Sequence, residues 1–406
     1  MSRATVTTRI GLLIPLIAAT MLVASAADLR WVAAWTAAPD SAGPPMGPGT
    51  IRQIVRTSIR GSSVRIRLSN LFAVTPLTIG PVRVAKHAQG SEIQPGTDHQ
   101  VTFGGKATAT IPGGADALSD PVALPVAAFD QLAVSVYLPS RTGPSTTHGT
   151  GIQTAFIAAG DVTAATALPA GETDTSRYFV TGVDVAASDD ARAIVIVGDS
   201  ITDGVGSTPD TNARWPDALA ARLQADPALA SLAVVNAGIS GNRILNDGAD
   251  PFVGPSVQAR FDRDALGQPG VRWILLLSGG NDISAARILA TPKDNVSAQQ
   301  IIDGMKTLIA RAHLQGVKIA GATLTPKAGS KFFYAEGEAK RQVVNAWIRR
   351  AEGFDAVIDF DQALRDPARP DWLLPALDSG DHLHPNDHGY RAMAAAVDLR
   401  IFTRDK

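Results

Sequence analysis

The pattern of apolar and polar positions changes rhythm near the middle of the chain. From Trp31 to about Val185, short segments alternate in polarity and are broken by Gly, Pro and Ser. Val64, Ile66 and Leu68 are interleaved with Arg65, Arg67 and Ser69, the period of a half-buried strand. The stretch from Ile54 to Ile59 precedes it across Gly61-Ser62-Ser63, and Leu77 to Val84, Val101 to Phe103, Thr108 to Ile111 and Leu132 to Leu138 repeat the theme. No amphipathic helix of useful length interrupts them. Short strands at this spacing predict a β-sandwich.

After the polar segment Ala187-Ser188-Asp189-Asp190 the strands become continuously apolar and alternate with helical patterns. Ala193 to Val197, Leu232 to Val235, Val271 to Leu277, Val317 to Ala322 and Ala356 to Phe360 read as five buried strands. Trp215, Leu219 and Leu223 share one helical face; Ile301, Met305, Leu308 and Ala312 share another; Val343, Trp347 and Ala351 form a third. The stretch from Tyr390 to Ile401 supplies a closing helix. Strands buried on both faces and separated by helices imply an α/β fold with a parallel five-stranded sheet. In such sheets the functional crevice lies beyond the carboxyl ends of the strands.

Composition narrows the chemistry. The chain has 406 residues, no cysteine and a formal net charge of −1. That excludes a disulfide scaffold, a thiolate metal site and a cysteine nucleophile. It gives nucleic acid no electrostatic footing as a partner. At the N-terminus, Arg3 and Arg9 supply a positive region ahead of an apolar stretch of 14 residues, Ile10 to Val23, and the small residues Ala24, Ser25 and Ala26 follow. This reads as an export signal over residues 1–26, too short to span a bilayer with Asp28 and Arg30 close behind; the competing reading is an uncleaved anchor. The expected organisation is a signal peptide (1–26), a β-sandwich-like domain (27–189) and an α/β domain (190–406). Its expected location is secreted or periplasmic, without membrane contact after cleavage.

Three strand ends and one helix entry carry candidate chemistry. The first strand runs into Gly198-Asp199-Ser200-Ile201-Thr202-Asp203-Gly204. Glycine permits a sharp exit, and the helical pattern that follows places Ser200 near a helix N-terminus, where unpaired N–H groups favour a developing negative charge. The alternative is a serine that merely caps the turn. The second strand leads to Ser240-Gly241-Asn242, where Gly241 could bring a backbone N–H close to a substrate. The third leads to Ser278-Gly279-Gly280-Asn281-Asp282, where Asn281 offers an amide donor for an oxyanion. Ordinary turns are the alternative for both. Before the closing helix stands Asp381-His382-Leu383-His384-Pro385-Asn386-Asp387-His388. A turn could let Asp381 hold one nitrogen of His384, leaving the other to take a serine proton. A zinc site using Asp381, His382, His384 and His388 competes, as does a polar capping loop. Gly-x-Ser-x-Gly, the elbow of the α/β-hydrolases, does not occur at Ser200. Gly204-Val205-Gly206 starts like a dinucleotide fingerprint, but Pro209 occupies its sixth position.

Taken in order, these blocks resemble the SGNH hydrolases, also called the GDSL esterase/lipase family. The resemblance covers roughly residues 190–406 and rests on the Gly198–Gly204 block, Gly241, Gly279-Gly280-Asn281-Asp282 and Asp381-His382-Leu383-His384-Pro385. It implies a flavodoxin-like three-layer α/β/α domain, with Ser200 as nucleophile, His384 as base and Asp381 as its orienting acid. The N–H groups of Ser200 and Gly241, with the Asn281 side chain, would form the oxyanion hole, and no cofactor would be needed. Trp31-Val32-Ala33-Ala34-Trp35, the stretch from Ile51 to Ser58 and the stretch from Val64 to Asn70 are similar to a secreted branch of the family with a β-domain ahead of the catalytic one. That branch is described as xylan-associated acylhydrolases or arylesterases, which implies acylated carbohydrate or small ester substrates. Three functions stay open on sequence: a serine esterase, a metal-dependent hydrolase and a non-catalytic carbohydrate-binding protein.

Overall fold

The computed structural model describes residue 1 and residues 30–248, 253–289 and 291–403. The export signal expected over residues 1–26 lies outside the described residues, apart from Met1.

The N-terminal half is antiparallel throughout. A four-stranded sheet has the order Arg30–Thr36, Val180–Ala187, Val64–Ser69 and Asp116–Leu118. A six-stranded sheet has the order Glu172–Asp174, Ala155–Ala158, Gly49–Arg56, Gln131–Leu138, Val82–Lys86 and His99–Val101. Val32, Ile66 and Val183 from the first sheet meet Ile51, Val84 and Val134 from the second in one core. Facing sheets with alternating inward residues make a sandwich. Among the described residues this half holds no helix.

Two expected strands are corrected here. Leu77 to Val84 divides into Leu77–Ile79 and Val82–Lys86, which belong to different sheets. Gly80 and Pro81 separate them, and Pro81 has no N–H with which to continue a ladder. Ile54 to Ile59 is displaced to Gly49–Arg56, because Thr57 and Ser58 leave the sheet to bond Asp130 and Ala34 carbonyls.

The C-terminal half is a doubly wound parallel sheet. Its spatial order is Leu232–Gly238, Arg192–Gly198, Val271–Leu277, Lys318–Ala322 and Ala356–Ile358, so in chain order the strands lie 2-1-3-4-5. Successive residues of the first strand serve opposite faces. Val195 and Val197 pack beneath Ile301, Met305 and Trp347, whereas Ile194 and Ile196 pack beneath Trp215, Leu219 and Tyr390. Three layers result. Burial of Leu219 and Leu223, both fully inaccessible, contributes about 1.5–3 kcal/mol each before entropy is charged.

Two helical expectations also change. On Ala335–Arg349 the inward stripe is Val344, Trp347 and Ile348, while Val343 is exposed and Ala351 lies beyond the helix. Two polar residues take inward positions: Asn345 bonds both backbone groups of Leu324, and Arg341 pairs with Asp361. An apolar count alone therefore misplaces the face. The closing helix is Asp387–Ala396, capped by Asn386, followed by a separate 3-10 turn over Leu399–Phe402.

The order reverses between the first and third parallel strands, so their carboxyl ends open a crevice at that switch point. On the other flank the edge strand Leu232–Gly238 is covered by the antiparallel half. Ser58 Oγ accepts from Val234 N at 3.0 Å, and Thr36 Oγ1 donates to Asn236 O at 2.7 Å.

Candidate active site

The turn after the first strand is built around small residues. A Cβ on Gly198 would stand 2.1 Å from Thr202 Oγ1 and 2.7 Å from Leu277 O, so the chain can turn there only without a side chain. Asp199 caps the short helix Ser200–Asp203 by accepting from Ile201 N. The capping role thus belongs to Asp199, and the Ser200 hydroxyl is free for another partner. Burial raises the Asp199 carboxyl to about 7, opposed by the Ile201 N–H and by Lys327. The buried Lys327 ammonium is pulled down to about 8 by desolvation and then by Arg341.

Ser200 Oγ lies 2.8 Å from His384 Nε2, although 184 residues separate them. His384 Nδ1 lies 2.5 Å from Asp381 Oδ2. Asp381 Oδ1 accepts from the backbone N–H groups of Leu383 and His384 at 2.9 and 2.8 Å. Partial burial pushes the Asp381 carboxyl up, but the His384 backbone and imidazole bonds outweigh it and hold it below the usual range. A carboxylate can only accept, so Nδ1 carries the proton; Nε2 then presents its lone pair to the serine.

The turn Ile239–Asn242 is closed by Asn242 N donating to Ile239 O, with Gly241 at φ 76°. That left-handed conformation and a would-be Cβ contact of 2.4 Å with Val253 Cγ1 both demand glycine. Asn281 stands in the first turn of the helix Gly280–Ile288, and its amide donates one hydrogen to Asn242 O at 3.1 Å. The second amide hydrogen has no part in that bond. Ser200 and Asn281 line one cavity of about 30 Å³ with Ile201, Leu277, Ile283, Leu324 and Leu383.

Behind these turns, the fully buried Arg260 donates to Gly198 O, Ala237 O and Asn242 Oδ1 at 3.1, 2.8 and 3.0 Å. One guanidinium thus ties the ends of two strands to the Gly241 turn. Asp203 Oδ2 accepts from Ser240 N and Ser240 Oγ at 2.9 and 2.7 Å. Its Oδ1 meets His148 Nε2 from the antiparallel half at 3.0 Å. The pattern of strand ends gave no notice of Arg260, which lies on a helix, or of His148, which lies in the other half.

The three histidines near the C-terminus do not converge. His384 faces Ser200 and Asp381, His382 Nδ1 pairs with Asp378 Oδ2, and His388 Nδ1 accepts from Arg391. Among the described residues no group of three His, Cys, Asp or Glu side chains is gathered as metal ligands would be. The residues of the competing zinc reading, Asp381, His382, His384 and His388, are therefore directed to different partners.

The chain is similar to a variant of the acetyl xylan esterase Axe2 from Geobacillus stearothermophilus at 21% identity and TM-score 0.41, over 52% of this chain and 94% of that one. It is similar to a GDSL-like lipase from Bacteroides thetaiotaomicron at 18% identity and TM-score 0.38, over 53% and 91%. It is similar to an alpha/beta hydrolase from the metagenome of Lake Arreo, Spain, at 25% identity and TM-score 0.39, over 51% and 94%. No curated protein matches it. Residues 196–392, with Ser200 close to their start and His384 close to their end, match the GDSL-like Lipase/Acylhydrolase family model; the chain thus carries a domain of that family and is a carboxylic ester hydrolase.

Proposed function

We propose that the chain is an exported serine esterase that removes acyl groups, above all acetyl, from plant polysaccharides or their oligosaccharides. In this reading residues 1–26 are a cleaved signal, 27–189 a β-sandwich-like domain and 190–406 the hydrolase domain. Ser200 Oγ attacks the ester carbonyl while His384 Nε2 takes its proton. The tetrahedral oxyanion is held by the Ser200 and Gly241 N–H groups and the Asn281 amide. Collapse breaks the bond to the alcohol oxygen, which leaves with the proton from His384. Water then attacks the acyl-enzyme, giving its proton to His384, and the acid departs as that proton returns to Ser200. Asp381 stays ionised and stabilises the imidazolium formed in each half.

The observation that carries this reading is the 2.8 Å contact of Ser200 with His384, whose other nitrogen rests on Asp381. A small acyl group is favoured because the cavity beside Ser200 is lined by Ser284, Thr325, Lys327 and Arg341 as well as by Leu277, Ile283, Leu324 and Leu383, and so offers a long alkyl chain no continuous apolar wall. Short-chain aryl esters present the same acyl group, so a general short-chain esterase is the second reading. Acetate release from acetylated xylan, compared with hydrolysis of small aryl acetates and of long-chain fatty esters, separates these. Efficient turnover of long-chain esters would defeat the acetyl assignment. A Ser200→Ala protein that still hydrolyses esters would defeat the mechanism.

A further inference from the structure

We propose that His148, contributed by the antiparallel half, is a positioning residue for the oxyanion turn: it fixes Asp203, and Asp203 fixes the peptide that precedes Gly241. The inference rests on the serine-esterase reading above. His148 ends the strand Pro144–His148 and is only 7% exposed. Both ring nitrogens face groups that can only accept, Ala38 O at 2.8 Å and Asp203 Oδ1 at 3.0 Å. With Asp203 ionised, a ring so placed carries a proton on each nitrogen and is an imidazolium. Asp40 Oδ2 stands 3.8 Å from Nδ1, so the cation lies between two buried carboxylates.

Asp203 occupies the last position of the short helix that begins with Ser200. Its Oδ2 holds both the N–H and the hydroxyl of Ser240, and the next N–H along the chain is that of Gly241. Loss of His148 would leave Asp203 Oδ1 buried with no donor, and the carboxylate would protonate or rotate away from Ser240. A tilt of the Ser240–Gly241 peptide misaligns the donor that meets the oxyanion, while substrate binding in the ground state changes little.

The histidine is itself firmly held. Asp40 N donates to Thr147 O at 2.9 Å, and Gly149 N donates to Asp40 Oδ2 at 2.6 Å. Beyond it, Thr154 N and Oγ1 donate to the two oxygens of Asp210 at 2.6 and 2.7 Å, and Arg214 bonds Gly151 O. The antiparallel half thereby grips the loop leading away from Ser200 and reaches the oxyanion turn through one side chain.

The test compares native enzyme, His148→Ala and His148→Gln on p-nitrophenyl acetate, with competent enzyme counted by fluorophosphonate titration. His148→Ala should lose about 10- to 100-fold in kcat per titrated site, less than removal of a whole hole donor, with KM within about threefold. His148→Gln, which can still donate to Asp203, should recover most of that loss. Inhibition by a boronic acid, whose tetrahedral adduct puts an oxygen in the hole, should weaken in parallel with kcat. A merely structural histidine would lower the titrated fraction and leave kcat per site and the boronate Ki untouched, which would overturn the proposal. If His148→Ala does not fold, Asp203→Ala removes the acceptor of both the Ser240 N–H and its hydroxyl at the far end of the same chain; an unchanged boronate Ki there overturns it equally. Native enzyme inert towards esters, or active Ser200→Ala, would sink the esterase reading and this inference with it.

Discussion

In the proposed mechanism, replacing Asp381 by Asn exchanges one oxygen for an NH₂ group and should disable the His384 base through tautomerism. In the native site Asp381 Oδ2 accepts from His384 Nδ1, while Oδ1 accepts from the N–H groups of Leu383 and His384. Asparagine has a single oxygen. If that oxygen keeps the two backbone donors, its NH₂ group faces Nδ1, and the imidazole must carry its proton on Nε2, pointing at Ser200 with no lone pair to offer. Turning the amide round restores the tautomer but abandons two backbone bonds, roughly 2 kcal/mol at about 1 kcal/mol each. The neutral amide also stabilises the imidazolium less than a carboxylate, by a further 1–2 kcal/mol or so. Together about 3.5 kcal/mol corresponds to a fall in kcat of about 400-fold. A larger loss is not expected, because the Asp381 side chain is 50% exposed and water can stand in for part of the carboxylate. Steady-state hydrolysis of p-nitrophenyl acetate, normalised to folded enzyme, measures it. A loss below tenfold would show that His384 takes its tautomer from elsewhere.

Asn281→Ala should lower kcat by about 10²–10³ with little change in KM, since the amide would act on the oxyanion and not on the ground-state ester. Gly241→Ala forces a side chain into φ 76° and against Val253, costing at least about 1–2 kcal/mol locally; thermal melting and kcat should both fall. His148 makes stability depend on pH. Burial pulls its pKa down, but Asp203 and Asp40 outweigh it and leave it raised above 6.5. A raised folded value means its contribution is complete below about 6.5 and is lost as pH climbs through the folded pKa. The melting temperature should therefore decline over that upper range more steeply for native protein than for His148→Gln; parallel curves would contradict it.

Much of the scaffold was legible in the sequence, because its physical rules are local. The run 273–277 of the third parallel strand is continuously apolar since both its faces are covered, and Trp215, Leu219 and Leu223 recur at helical spacing because one face is. The rule that loops after parallel strands share a rim brought Ser200, Gly241 and Asn281 under scrutiny, and the Asp381–His384 spacing fits a single turn. What stayed hidden depends on contacts at long range. His148 is one histidine in a β-rich stretch, and nothing near it signals that Asp203, 55 residues on, will lie against it. Arg260 has the spacing of an ordinary surface arginine, yet it is buried because carbonyls from two strand ends and Asn242 absorb its donors. An apolar count misplaces the inward face of Ala335–Arg349 for the same reason, since Asn345 and Arg341 are polar residues satisfied inside.

The covered flank of the parallel sheet bears on how this polypeptide can be cut. Val234 and Asn236 on the outermost strand are satisfied by Ser58 and Thr36, and Ala33 and Ala38 belong to the same apolar cluster as Val235 and Ala237. A hydrolase fragment starting at residue 190 would expose an unpaired ribbon beside a stripped greasy surface, an invitation to stick to its own copies. The two halves should therefore unfold together, and scanning calorimetry of the intact chain should register a single endotherm instead of two.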